Sequence, residues 1–177
     1  MIIAEGGRRA AIRTDESSAA YVGAQIARCE RFGSAEPGRA VRVVVELSRA
    51  FGGMTMRALL GAEFSPDPLG TVTIFEVPFG EPMGLGAVAG CGSELGRPLV
   101  AGLPRDFADA VLDGLAGDAA AEALPAGRLR IDRAGFDEAG SSEMAFKLAG
   151  GLLRRVVDAL LHDEDPLAAA RVVVSGW

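Results

Sequence analysis

The sequence predicts an α+β fold in which helices cover one face of a mostly antiparallel sheet. Three observations carry that prediction. Period-two alternation of apolar residues occurs in Ala20–Cys29, Val41–Leu47, Gly70–Phe79 and Arg128–Arg133, whereas two segments after Pro104 carry apolar residues at helical spacing. Glycines and prolines punctuate the stretches between them. The chain has 177 residues, which at about 150 residues per domain makes one domain, 1–177, with a single core.

In chain order, residues 1–18 come first. They carry Glu5, Arg8, Arg9, Arg13, Asp15 and Glu16, where a secretory leader needs roughly 7 to 15 uninterrupted apolar residues. We therefore expect a flexible N-terminal segment and a cytoplasmic chain. The first strand, Ala20–Cys29, is expected to turn Ala20, Val22, Ala24 and Ile26 inward. Gly33, Ser34, Pro37 and Gly38 then form a long loop over 30–39, leading to Val41, Val43, Val45 and Leu47. Together these segments predict a hairpin with a long tip.

The stretch 51–97 is broken by Gly and Pro, and only Val72, Ile74 and Val77 read clearly as a strand; Met54–Leu60 suits a strand or a short helix. Pro104 at a helix start, Asp106 in the first turn, and Phe107, Ala110, Val111 and Leu115 predict a helix of about 12 to 14 residues. A short strand over Arg128–Arg133 buries Leu129 and Ile131. Next, Gly140, Ser141 and Ser142 supply capping residue types for a helix of about 20 residues, with Ala145, Leu148, Ala149, Leu152, Leu153, Val156 and Leu160 on one face. Pro166 stops it, and Arg171–Val174 predict a final strand whose Val172 and Val174 leave an edge for a second copy.

The chemistry legible in the chain is sparse. A net charge of −6 excludes broad attraction to phosphate backbones, which rests on a surplus of Lys and Arg. No apolar run reaches the roughly 18 residues of a membrane helix, so no membrane partner is expected. Cys29 and Cys91 lack companions at metal-ligand spacing and are expected as buried thiols; neither metal nor cofactor is expected. No phosphate-loop motif occurs. Gly84, Gly86 and Ala89 satisfy a dinucleotide-binding spacing, but no helix follows that would receive a pyrophosphate. His162, beside Asp163, Glu164 and Asp165, reads as a cation at a helix C-terminus. No catalytic residue is assigned.

The run Ser141-Ser142-Glu143-Met144-Ala145-Phe146-Lys147-Leu148-Ala149-Gly150 is similar to the signature of domain IV of the elongation factor G class of translational GTPases. There, Ser-Ser-Glu-Met-Ala-Phe-Lys opens the long helix after a short strand and a tip loop. Leu103-Pro104-Arg105-Asp106-Phe107, with the helix and strand that follow, resembles the same domain's earlier elements. Lys147 is the only lysine of the chain, and it falls inside the motif. The resemblance covers Leu99–Val157 and, by element order, Ala20–Leu47, leaving 51–97 as an insertion. It implies a ribosomal protein S5 domain 2-like fold: a roughly four-stranded sheet, two helices on one face and a left-handed strand-helix-strand crossover.

The resemblance also implies docking rather than turnover, because in that family this domain mimics the anticodon arm of a tRNA and its tip loops contact RNA. The loop 30–39 stands in place of the family's Gly-Gly-Arg-Gly-Gln-Tyr-Gly run, and Asp137 stands where many members carry histidine. The residues expected to meet ribosomal RNA or a translation-related protein are Arg31, Phe32, Arg39, Arg133, Phe136, Asp137 and Glu138, with Arg128 and Arg130 beside them. Ser141 through Lys147 are expected to serve the fold, Ser141 and Ser142 as caps and Lys147 paired with Glu143. The alternatives are a structural or homo-oligomeric protein without an RNA role, or an enzyme using a pocket in 51–97 beside Arg97 or Arg105.

Overall fold

The structure, a computed structural model, describes residues 1–14, 23–80, 91–117 and 122–177. Its elements are β1 (Ile2–Glu5), β2 (Arg8–Arg13), β3 (Gln25–Phe32), β4 (Val41–Phe51), β5 (Met54–Pro66), β6 (Val72–Phe79), β7 (Val100–Ala101), α1 (Arg105–Ala116), β8 (Gly127–Phe136), α2 (Glu143–Leu161) and α3 (Pro166–Ser175). The fold is α+β, with a mostly antiparallel sheet of eight strands in the order β1-β2-β4-β5-β8-β6-β3, β7 adding to β8. The expected four strands are thus too few. Only β6 and β8 run parallel, joined through α1.

Of the N-terminal segment 1–18, residues 2–5 and 8–13 are strands, and 15–18 lie outside the described residues. β1 and β2 form a hairpin through Gly6 and Gly7, and β2 pairs with β4 along Arg8–Arg13. A second tight hairpin joins β4 to β5 through Gly52 and Gly53, with φ of 57° and 82°. Positive φ at both central residues makes the mirror-image turn that matches strand twist, and glycine adopts it without strain. Both Gly-Gly pairs are hairpin signals at the level of sequence.

The expected hairpin between the first strand and Val41–Leu47 is absent: β3 pairs with β6, and β4 pairs with β2 and β5. Residues 33–40 instead strap one end of the sheet. Ser34 bridges to Pro125, and a Cβ on Gly38 would meet Phe64, Pro66 and Pro125 at 3.1–3.2 Å. The inward parity of β3 is also reversed. Ile26 is exposed while Ala27 and Cys29 pack on the core; Ala20 and Val22 lie outside the described residues. The segment 51–97 supplies β5 and β6, two interior strands, and Met54–Leu60 lies in the first of them. The segment 171–174 is helix, not an edge strand. Asp165 caps α3 by accepting from the Leu167 amide, and Pro166 takes its first position.

The three helices cover one face of the sheet, α2 over β4 and β5, α1 over β6 and β3, α3 against α2, β2 and β1. The core beneath them is mainly apolar: Phe64, Phe75, Leu60, Leu129, Ile131, Val111, Leu115, Phe146, Leu153 and Val156 are all buried, and the one buried hydroxyl on this face of β6, Thr73, bonds the Leu124 and Pro125 carbonyls. The α1 and α2 backbones nearly touch, since a Cβ on Gly114 would lie 2.2 Å from the Lys147 carbonyl oxygen. Phe107 stacks on Phe146 with centroids 4.8 Å apart. Both helices match expectation in position, at 12 and 19 residues.

Candidate functional site

The outer face of the sheet, opposite the helices, follows from strand alternation: inward Ala58, Leu60, Ala62 and Phe64 on β5 oblige Arg57, Leu59, Gly61 and Glu63 to point outward. Part of this face is covered by residues 91–101, where Cys91 and Leu99 pack on Val44 and Leu59. Beside this small apolar cluster lies a buried ionic one. Arg57 donates through Nη1 to Asp137 (3.3 Å) and through Nη2 to Glu46 (3.3 Å), Ser93 Oγ (2.8 Å) and the Arg97 carbonyl (2.8 Å). Glu46 also accepts from Ser93 Oγ (2.6 Å) and the Glu94 amide (2.8 Å). Arg97 reaches Asp137 through Nε and Nη2, both at 3.0 Å.

Asp137 is therefore not an exposed tip residue. It is 7% exposed and accepts from the Ala139 and Gly140 amides as well (3.1 Å each). Burial pushes its carboxyl up, but those two amides and Arg97 outweigh burial and hold it below the usual carboxylate range. Ser141 completes the knot, accepting from the Asp137 amide (2.9 Å) and donating to the Arg57 carbonyl (2.6 Å), while Arg57 N–H donates to Gly140 (2.9 Å). With Glu46 at 1% and Arg57 at 6% exposure, substrate has no access to these charges. Their role is to bind 91–101 and the loop 137–142 to the outer face.

The remaining motif residues serve the long helix. Ser142 Oγ caps α2 by accepting from the Ala145 amide (3.2 Å), and Ala145 and Phe146 are core residues. Lys147 pairs with Asp113 of α1 (3.6 Å) rather than with Glu143. Met144 is exposed, as is Glu143.

The two expected tip loops, 30–39 and 133–140, do not converge, and their first residues belong to β3 and β8. Residues 33–40 lie at the Gly127 end of β8, and 137–142 follow its other end, ten residues along the strand. Nor do the expected phosphate-binding arginines form a basic patch. Arg39 is held by Asp163 (2.7 Å) and the Leu160 carbonyl at the C-terminus of α2. Arg128 and Arg130 both pair with Glu76, at 3.7 and 3.2 Å. Arg133 sits on the outer face opposite Gly61. Arg31 lines a groove with Asp113, Lys147 and Trp177. Phe32 is exposed, Phe136 buried, and Glu138 exposed. His162 faces an acceptor at each ring nitrogen, the Asp158 carbonyl at Nδ1 (2.9 Å) and the Glu36 carboxylate at Nε2 (2.6 Å), and donates to both when protonated, tying the strap to α2.

What converges instead is the Gly52–Gly53 turn and the loop 137–142. The β4–β5 hairpin runs past the end of β8, and a Cβ on Gly140 would lie 2.6 Å from the Thr55 carbonyl oxygen. Around this end Phe51, Met54 and Met144 are 64%, 68% and 54% exposed, and the Arg49 guanidinium lies 5.5 Å over the Phe51 ring. Sequence reasoning passed over Arg57 and Glu46; the available signal is one charge set within each of the apolar runs Met56–Ala62 and Val43–Leu47. Among the described residues no group of three or more His, Cys, Asp or Glu is placed to hold a metal, and no helix is long and apolar enough to cross a membrane. The Gly84, Gly86 and Ala89 spacing lies outside the described residues. No protein-family model matches the chain, and no curated protein matches it significantly.

Proposed function

We propose that this chain is a non-catalytic docking module of the elongation factor G domain IV type, which seats the end formed by the Gly52–Gly53 turn and the loop 137–142 on a partner in the translation apparatus. The observation that carries the reading is the convergence of these two turns, held together by Arg57, Asp137 and Ser141, with Phe51, Met54 and Met144 exposed around them. Support for the S5 domain 2-like core comes from β4, β5, β6, α1, β8 and α2, whose order is three strands, helix, strand, helix. Their four strands are neighbours as β4-β5-β8-β6. On this reading the first tip loop is the Gly52–Gly53 turn rather than 30–39, and β1, β2, β3, β7 and α3 are additions.

The contact is mainly apolar, because Phe51, Met54 and Met144 are the large exposed hydrophobic side chains at this end. Pelleting with ribosomes tests it. The wild-type chain co-sediments, the double variant Phe51→Asp/Met54→Asp does not, and binding falls only shallowly with salt, since few phosphates are neutralised. A wild-type chain that stays in the supernatant at low salt ends the ribosome reading, and a steep salt dependence replaces the apolar contact with a phosphate one.

A further inference from the structure

The sheet has two edges of unequal kind. β1 is four residues long, and short edge strands resist pairing with other chains. β3, at the other edge, has eight residues without proline or bulge, and among the described residues no strand pairs with its outer side. The Gly33 amide donates to Thr71, its register partner (2.9 Å), so the odd residues of β3 direct their backbone groups to β6. Ile26, Arg28, Glu30 and Phe32 therefore turn theirs to the open edge. Their side chains share the outer face, with Ile26 50% and Phe32 87% exposed. Arg28 and Glu30 lie 3.1 Å apart, side chains 48% and 55% exposed.

This order, apolar, basic, acidic, apolar, is complementary to itself when reversed. We propose that β3 pairs antiparallel with β3 of a second copy of this chain about a two-fold axis through Cys29. That register sets Arg28 opposite Glu30, Ile26 opposite Phe32, and Cys29 opposite itself with Cα atoms about 4.5 Å apart, the spacing of a pair without mutual hydrogen bonds. Each flanking pair exchanges both backbone hydrogen bonds, and the helices of both copies stay on one face. The neighbouring registers that keep the faces aligned are excluded by charge: one sets Arg28 against Arg28, the other Glu30 against Glu30. The interface is isologous and closes at two copies.

Light scattering on the full chain tests the pairing. The wild type should show twice the 18.2 kDa of one chain. Arg28→Glu and Glu30→Arg should each halve that mass by opposing like charges, and the double swap R28E/E30R should restore it. Both residues are exposed, so helix content by circular dichroism should be the same in all four proteins. The Phe51→Asp/Met54→Asp variant should remain dimeric, which separates this surface from the docking end. A wild type at single-chain mass, or a dimer that survives either single swap, overturns the proposal.

Discussion

The two faces of the sheet are built on opposite principles. Under the helices the buried sheet positions are apolar but for Thr73, and order rests on packing: Phe146, Leu153 and Val156 share one cluster with Leu60, Phe64 and Ile131. On the outer face, rows of alternating charge cross the strands, Arg42, Glu63, Arg130, Glu76 and Arg28 standing in register from β4 to β3. Where 91–101 covers that face, Glu46, Arg57 and Asp137 are buried and partnered by one another and by Ser93 and Arg97; beyond it Arg28, Arg128 and Arg130 keep exposed side chains, with Glu76 buried between the last two. The same residue types thus bind a loop in one half and leave a solvated, self-complementary edge in the other.

Substitutions can sharpen the contrast. Phe146→Ala, on the packed face, should cost about 3–5 kcal/mol in urea unfolding, through lost burial and the cavity left beneath α2. Arg57→Ala should cost about 3 kcal/mol by leaving the buried Glu46 without a charge partner, Asp137 still being held by Arg97; a loss as small as that of a surface pair would mean that 91–101 lifts off and water replaces it. Arg130→Ala, in the uncovered half, should cost less than about 1 kcal/mol, with Arg128 still beside Glu76.

A smaller effect tests the strap. His162 is held above its ordinary value first by the Asp158 carbonyl and then by Glu36. Its stabilisation is therefore complete below about pH 6.5, the value in an unfolded chain, and is lost as pH rises through the higher folded value. An NMR titration should place the ring above about 6.5 in the wild type and lower in Glu36→Gln; no difference between the two would remove Glu36 as a cause.

Both helices were legible because their signals are local: a proline at the start of α1, a serine cap and an uninterrupted stripe for α2. β5 was obscured for a physical reason. Ala58, Leu59, Leu60 and Ala62 are all buried, the even ones under helices and Leu59 under 91–101, so the alternation that marks a strand vanishes. β3 failed in the opposite way, as an edge strand with Ile26 and Phe32 on one face and Ala27 and Cys29 on the other. α3 was misread because three consecutive valines outweighed the Asp165-Pro166 start signal. Of the two expected contact loops, 30–39 and 133–140, only the second reaches the proposed docking end, and Asp137 within it is a buried anchor.

By itself the sequence determined the fold class, the two long helices, the cap at Ser142 and the resemblance carried by Ser141 to Lys147, since each depends on residues within a few positions of one another. Tertiary structure alone decided which strands are neighbours, that 33–40 is a strap, and that Arg57, Glu46 and Asp137 form one buried cluster. Those outcomes depend on chain segments separated by tens of residues, and alternation within one strand says which way a side chain points but not what lies across from it.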